Sequence, residues 1–132
     1  MINKFYKKVI AQRPEDLSII SALCSQAKVK QSDIKYLKNN KVFILTIERT
    51  NKENNVTKEK IGSVIKFDFV DNCKSKNINQ SDPENILELF SINIFKKNDN
   101  YEILLLFLNN GVITLSTEVV DVTMEDIKKI DD

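Results

Sequence analysis

The sequence contains no histidine and only two glycines, Gly62 and Gly111, in 132 residues. Without histidine, the chain lacks the commonest general acid and base and the commonest metal ligand. Two isolated glycines cannot form the glycine-rich loop that lets a backbone approach a phosphate. These absences exclude most of the enzyme classes that sequence motifs reveal, and we expect no cofactor.

A large excess of charge of one sign is also missing. The chain has 20 basic and 19 acidic residues, a net charge of +1, which is not typical of a dedicated nucleic-acid-binding protein. Only Arg13 and Arg49 are arginines, and lysine is poorly suited to bidentate recognition of phosphates or bases. Lysines cluster at Lys4, Lys7 and Lys8 and again at Lys96 and Lys97. We interpret these clusters as surface charge, with contact to RNA or an anionic membrane as the alternative.

Cysteine is scarce, and long apolar runs are absent. The longest apolar run, residues 103–108, is six residues and far too short to span a bilayer. Cys24 and Cys73 occur without a secretory signature, so we expect a cytoplasmic protein with free thiols. Cys24 lies on an apolar stripe and is interpreted as a core residue. Cys73 is the better candidate for a reactive thiol, because Lys74 and Lys76 can lower its pKa. Lysines are nevertheless routine on a lysine-rich surface, and we interpret Cys73 as an ordinary thiol.

The pattern of apolar residues predicts one helix followed by many strands. Pro14 stands at a favoured first-turn position, and apolar residues then recur every three or four positions over residues 14–28. Strands are predicted over residues 5–10, 29–37, 42–47, 64–69, 72–79, 87–94, 101–108 and 112–122, with a polar loop over residues 50–60. The expected fold class is α+β in a single domain, residues 1–132. It is an antiparallel sheet of six to eight strands, curled toward a barrel, with one main N-terminal amphipathic helix.

Asn110-Gly111 between two apolar runs predicts a two-residue type I′ hairpin. The core-facing pairs in that register are Leu108 with Ile113 and Leu106 with Leu115. The opposite face then carries Ile103, Leu105 and Phe107 beside polar partners. Either the helix covers this face, or Ile103, Leu105 and Phe107 form an interaction surface for a partner or a second copy. No catalytic, cofactor-binding or metal-binding residue is predicted.

Acidic residues gather toward the C-terminus at Glu118, Asp121, Glu125 and Asp126. A calcium-binding loop needs a glycine and a regular spacing of oxygen ligands that this region lacks. We therefore interpret the cluster as a solvated edge strand and tail, and predict no metal site.

Three segments carry a resemblance to a known family: residues 14–29 (PEDLSIISALCSQAKV), residues 33–43 (DIKYLKNNKVF), and residues 64–69 with the hairpin that follows. In order, they resemble the Asp-Leu…Ile-Ser-Ala helix, the Asp-x-x-Tyr/Trp-Leu strand and the terminal hairpin of a small family of uncharacterised bacterial proteins. That family is a domain of unknown function of about this length. The resemblance implies no known activity and supplies no site residues.

We therefore expect a small non-catalytic protein that acts by protein contact, as a homodimer or as an accessory subunit. The alternative is a small-ligand-binding protein, or a histidine-free enzyme whose site is built from carboxylates, lysine and tyrosine.

Overall fold

The computed structural model describes residues 7–51 and 59–130. Within these ranges lie ten β-strands and one α-helix. The strands are β1 (Lys8–Ala11), β2 (Lys28–Lys30), β3 (Ile34–Leu37), β4 (Val42–Thr50), β5 (Lys60–Phe67), β6 (Val70–Lys76), β7 (Ile86–Lys97), β8 (Asn100–Phe107), β9 (Val112–Thr117) and β10 (Val122–Ile130). The helix α1 spans Leu17–Cys24 and follows a single 3-10 turn at Pro14–Asp16.

All neighbouring strands are antiparallel, in the order β1-β10-β5-β4-β2-β7-β8-β9-β6, and β3 pairs with β4 beside the short strand β2. Strand β2 joins the two halves of the sheet, because Lys28 stands opposite Glu48 of β4 and Glu88 of β7. Among the described strands, β1 and β6 each have one neighbour, so the sheet is not closed.

Helix α1 packs mainly against β7. Pro14 occupies the first turn, and Glu15 and Asp16 follow where the helix dipole favours negative charge. The helix ends at Ser25 because Gln26 adopts a left-handed conformation, with a φ of 70°. The amide of Gln26 donates instead to the carbonyl of Leu89 in β7, at 2.7 Å. The helix predicted over residues 14–28 is therefore confirmed, but it ends at Cys24, before the predicted residue 28.

The core lies between the inner faces of the two halves of the sheet and the apolar face of α1. Alternation along β4 buries every second side chain, and Phe43 packs edge-to-face on Phe67 of β5 with ring centroids 5.9 Å apart. Helix α1 contributes Leu17, Ile20 and Cys24 to the same buried cluster.

The predicted fold class, α+β with an antiparallel sheet and one main helix, is confirmed, but the described strands number ten rather than six to eight. One predicted strand, residues 29–37, is divided into β2 and β3 by a 3-10 turn at Gln31–Asp33. The predicted acidic tail forms β10, which pairs with both β1 and β5 and so is not an edge strand. Lys4, the start of the predicted strand over residues 5–10 and most of the predicted loop over residues 50–60 lie outside the described residues.

The hairpin between β8 and β9 has a different register from the predicted one. The amide of Phe107 donates to the carbonyl of Gly111 at 2.8 Å, and Asn109 and Asn110 adopt the left-handed conformation with φ values of 68°. Gly111 has a φ of −72°, so the two asparagines make the turn and the loop is longer than two residues.

This register corrects the predicted interaction surface. Ile103 pairs with Leu115 and Leu105 with Ile113, so these side chains share the inner face of the sheet. Ile103, Leu105 and Phe107 are 1%, 0% and 4% exposed. The expectation that these three residues form an exposed surface is therefore wrong. The partner of Ile113 is Leu105 instead of the predicted Leu108, a register shift of three residues. Because the side-chain period of a strand is two, any odd shift exchanges its two faces.

Candidate functional site

A buried ion pair joins β4 to β10. The Nε and Nη2 atoms of Arg49 donate to Oδ1 and Oδ2 of Asp126 at 2.9 and 2.7 Å, which is a bidentate geometry. Both side chains are fully excluded from solvent. A buried charge is tolerated when it is paired and hydrogen-bonded, so each residue offsets the desolvation cost of burying the other.

Two further donors complete the surroundings of the Asp126 carboxylate. The Ser63 hydroxyl of β5 donates to Oδ1 at 2.6 Å, and the Lys7 backbone N–H donates to Oδ2 at 2.8 Å. Burial alone would raise the pKa of Asp126, but these hydrogen bonds and the charge of Arg49 outweigh burial and hold the pKa below its ordinary value. Asp126 also donates its backbone N–H to the carbonyl of Lys7 at 2.9 Å. The carboxylate therefore fastens the N-terminal segment to the sheet.

The interpretation of Asp126 as part of a solvated acidic tail was wrong. A signal for the ion pair was present in the sequence: residues 43, 45, 47 and 49 alternate onto one face of β4, and residues 122, 124 and 126 onto one face of β10. A lone arginine and a lone aspartate at core-facing positions are expected to pair. The role of this pair is to hold three strands and the N-terminal segment together, and it presents no polar group to a ligand.

A row of charged residues crosses the outer face of the sheet. In strict register across five strands stand Lys128 of β10, Gly62 of β5, Glu48 of β4, Lys28 of β2 and Glu88 of β7. Residues directly opposite one another lie on the same face, so positive and negative side chains alternate with one gap at the glycine. A bulge after Asp126 places Lys128 on this face. We call these five residues the charge row.

Four residues of the charge row, Lys28, Glu48, Gly62 and Lys128, form the floor of an open groove of about 490 Å³, which we call the outer groove. Glu88 lies beside it, in the adjoining cleft. The walls of the groove include Lys30, Ile86 and Ile130. Lys30 contacts Glu84 at 3.5 Å, whereas within the described residues neither Lys28 nor Lys128 makes an ion pair shorter than 4 Å. The ammonium groups of Lys28 and Lys128 and the carboxylate of Glu48 are therefore available to a charged ligand in the groove.

Gly62 lies beneath the Lys128 side chain in the outer groove. Its φ is not in the left-handed region, so the backbone there does not require glycine. A Cβ atom built on Gly62 would lie 3.4 Å from Cγ and 3.6 Å from Cε of Lys128, which are ordinary contact distances. Glycine in a strand interior weakens the strand. What its absent side chain provides is space for the Lys128 stem and for anything that lies across it.

A second cleft, of about 420 Å³, adjoins the outer groove, because Lys28 and Ile86 line both. Its other walls carry side-chain amides, and we call it the asparagine cleft. The amides belong to Asn77, Asn79, Asn85 and Asn109. Gly111 packs closely here, since a Cβ on it would lie 3.2 Å from Cγ1 of Ile78. The outer groove and the asparagine cleft together form a continuous surface around β2.

A smaller pocket of about 160 Å³ lies in the seam between β3 and β6, and we call it the seam pocket. Its lining includes Ile34 and Tyr36 from β3, Cys73 and Ser75 from β6, and the core residues Phe43 and Ile113. Gln31 and Gln80 also line it. At the closed end of the seam, the Tyr36 hydroxyl donates to the carbonyl of Val70 at 2.9 Å.

The two cysteines lie in different environments. Cys24 is fully buried, as predicted, and its thiol contacts the sulfur of Met124 at 3.5 Å. Cys73 is half-buried, and burial raises the pKa of its thiol, so the alternative of a reactive thiol activated by Lys74 and Lys76 is wrong. Both lysine side chains are exposed on the other side of the strand. In the described part of the chain, no three or more Cys, Asp or Glu residues come close enough to hold a metal ion.

Comparison with known proteins completes the description. A family model for a protein of unknown function, DUF2948, matches residues 7–131. The chain belongs to this family. The DUF2948 match covers all the strands described above, so the outer groove and the seam pocket lie within the family domain. No curated protein and no solved structure matches the chain. In the part of the DUF2948 chain that the structure describes, no helix is long and apolar enough to cross a membrane.

Proposed function

We propose that this DUF2948 protein is a non-catalytic protein-interaction module that binds an extended segment of a partner protein in the outer groove. One observation carries the proposal: within the described residues, Lys28, Lys128 and Glu48 make no ion pair in the groove, around a glycine that its backbone conformation does not require, and Glu88 continues the row beside it. Within the described residues neither Cys24 nor Cys73 forms a disulfide, which fits a reducing compartment, and a cytoplasmic location is part of the proposal.

The dimensions of the charge row suit a peptide. Five strands at about 4.8 Å spacing span about 19 Å, which is the length of roughly six residues in an extended chain. Ile86, which is 55% exposed, and Ile130 offer apolar contacts on the walls of the groove. A partner segment with alternating acidic and basic residues and one or two apolar side chains would match this pattern.

A displayed library of random hexapeptides tests the proposal without knowledge of the partner. The unaltered protein is immobilised, and the Gly62→Tyr variant is added in solution to remove peptides that bind elsewhere on the surface. We expect this selection to enrich peptides with alternating charge. Tyrosine at position 62 fills the groove. The matched control is Lys66→Tyr, on the same face of the same strand but outside the groove lining. It should compete as well as the unaltered protein.

The exposed variant Lys28→Glu keeps the result interpretable if Gly62→Tyr fails to fold. Selected peptides should bind this variant at least tenfold more weakly, and their binding to the unaltered protein should weaken with salt. Lys74→Glu, an exposed lysine on β6, is the control. If the selected peptides bind the groove variants Gly62→Tyr and Lys28→Glu as tightly as the control variants Lys66→Tyr and Lys74→Glu, the proposal is overturned.

The partner segment belongs to another protein or to a second copy of this chain, as in a homodimer. Sedimentation of the unaltered protein and of Lys28→Glu separates the two cases. A dimer that Lys28→Glu dissociates identifies the partner as a second copy. A monomer that binds the selected peptides identifies a different protein as the partner.

A further inference from the structure

Two side-chain amides of the asparagine cleft are free to bind a ligand. Within the described residues, the side chains of Asn85 and Asn109 make no hydrogen bond, whereas Nδ2 of Asn77 donates to the carbonyl of Asn110 at 3.1 Å. Asn109 is exposed, and neither polar atom of the Asn85 side chain is buried. Since both residues line the open cleft, a ligand that lies in it can reach both amides.

The backbone holds these two amides in defined positions. Asn85 precedes β7, where its N–H donates to the carbonyl of Asp82 at 3.2 Å and its carbonyl accepts the N–H of Gln31 at 2.8 Å. Asn109 has a left-handed conformation, with a φ of 68°, in the turn between β8 and β9. Because the backbone is already ordered, less conformational freedom is lost when a ligand binds to these side chains.

The asparagine cleft continues the line of the charge row. Extending the antiparallel register of β7 and β8 by one residue places Glu88 opposite Leu108, and both residues line the cleft. Leu108 is 45% exposed and offers an apolar contact. Lys28 and Ile86 line the cleft and the outer groove alike. A segment that crosses the outer groove therefore reaches the cleft without leaving the surface of the sheet.

The chemistry of a side-chain amide matches that of a peptide main chain. Each amide carries an acceptor oxygen and an N–H₂ donor, and each residue of an extended peptide can present its N–H and C=O to the same side. This match does not depend on the side chain of the bound residue. We propose that the asparagine cleft binds the main chain of the partner segment beyond its charged stretch, through Asn85 and Asn109. The inference rests on the proposed function, since the same segment fills the outer groove.

Lengthened forms of the selected hexapeptides test the proposal. A hexapeptide that binds in the outer groove is synthesised with three alanines added at its N-terminus or at its C-terminus, and binding to the full chain is measured by fluorescence anisotropy. The extension that reaches the cleft should tighten binding about fivefold, as expected for one net hydrogen bond. Three N-methylalanines at the same end have no N–H groups and should give no gain, because the main-chain donors are missing.

Variants then identify the amides that bind the extension. Asn85→Ala and Asn109→Gly should each cancel most of the gain, while the affinity for the hexapeptide itself stays unchanged and shows that the groove is intact. Glycine is chosen at position 109 because it tolerates the positive φ. The matched controls are Asn98→Gly, at another left-handed asparagine in a hairpin turn, and Asn93→Ala, at an exposed residue of β7. Both controls lie outside the cleft lining and should keep the full gain.

Three results would overturn this inference and leave the proposed function intact. The first is equal affinity of the unaltered protein for the hexapeptide and for both alanine extensions. The second is a gain that Asn85→Ala and Asn109→Gly both keep in full, and the third is a gain that N-methylalanine also gives. If the library yields no hexapeptide that depends on the outer groove, the proposed function and this inference fall together.

Discussion

Arg49 and Asp126 meet in the core through two charge-assisted hydrogen bonds, 77 residues apart in the chain. Neither side chain reaches solvent, and the Ser63 hydroxyl and the Lys7 amide complete the carboxylate's contacts. The pair ties β4, β5 and β10 to the segment that leads into β1. A single carboxylate therefore controls the integrity of one half of the sheet.

Replacement of this carboxylate should be strongly destabilising. Asp126→Ala leaves the guanidinium of Arg49 buried without its counter-charge, so we expect the free energy of unfolding to fall by about 3–5 kcal/mol. Urea denaturation measures the change. Asp71→Ala removes the exposed ion pair with Lys41 and should have a far smaller effect. Equal effects of the two substitutions would contradict a structural role for the buried pair.

The same pair makes stability depend on acid. The pKa of Asp126 is lower in the folded protein than its ordinary value, so the folded state favours the ionised form. This stabilisation is fully present above the unfolded pKa of about 4 and is lost as pH falls through the lower folded pKa. Urea midpoints measured from neutral pH downward should drop below about pH 4. In Asp126→Asn, part of that drop should be missing, and an identical pH profile would contradict the argument.

Removal of an unsatisfied hydroxyl should stabilise the protein. Thr117 is 1% exposed, and within the described residues its Oγ1 atom has no hydrogen-bond partner. Thr117→Val keeps the shape and removes the buried polar atom, so we expect a gain of about 1 kcal/mol in the free energy of unfolding. Thr114→Val, on the partly exposed face of the same strand, is the control and should change stability by less than about 0.5 kcal/mol. A loss of stability in Thr117→Val would show that the hydroxyl is satisfied.

Cys73 should react slowly with alkylating reagents. Because burial raises its pKa, the thiolate fraction at neutral pH is smaller than for an ordinary cysteine. We expect iodoacetamide to alkylate Cys73 more slowly than the same cysteine in an unfolded peptide, with a rate that rises only at alkaline pH. Cys24 should remain unmodified until the protein unfolds. Mass spectrometry of timed samples separates the two sites, and fast alkylation of Cys73 at pH 7 would favour the lysine effect that the sequence suggested.

The elements of this fold were predictable, but their register was not. Alternating apolar residues and the proline at position 14 were enough to predict α1 and most strands. The predicted hairpin register was wrong because Asn109, which also tolerates a positive φ, takes the place in the turn that was assigned to Gly111. The local sequence does not distinguish a two-residue loop from a longer one. The outer groove could not be predicted from the sequence for another reason. Its lining combines residues from five strands, so only the strand order brings Lys128, Gly62 and Lys28 together.

The position of β10 between β1 and β5 has a consequence for synthesis of the protein. A strand that lies inside the sheet is here made after every other described strand, since β10 ends at Ile130. Until β10 has left the ribosome, β1 has no neighbour to pair with and the buried ion pair cannot form. This half of the sheet can therefore be completed only after β10 has been translated. During that interval β5 has an unpaired edge, and a chaperone that shields this edge would protect the chain from aggregation.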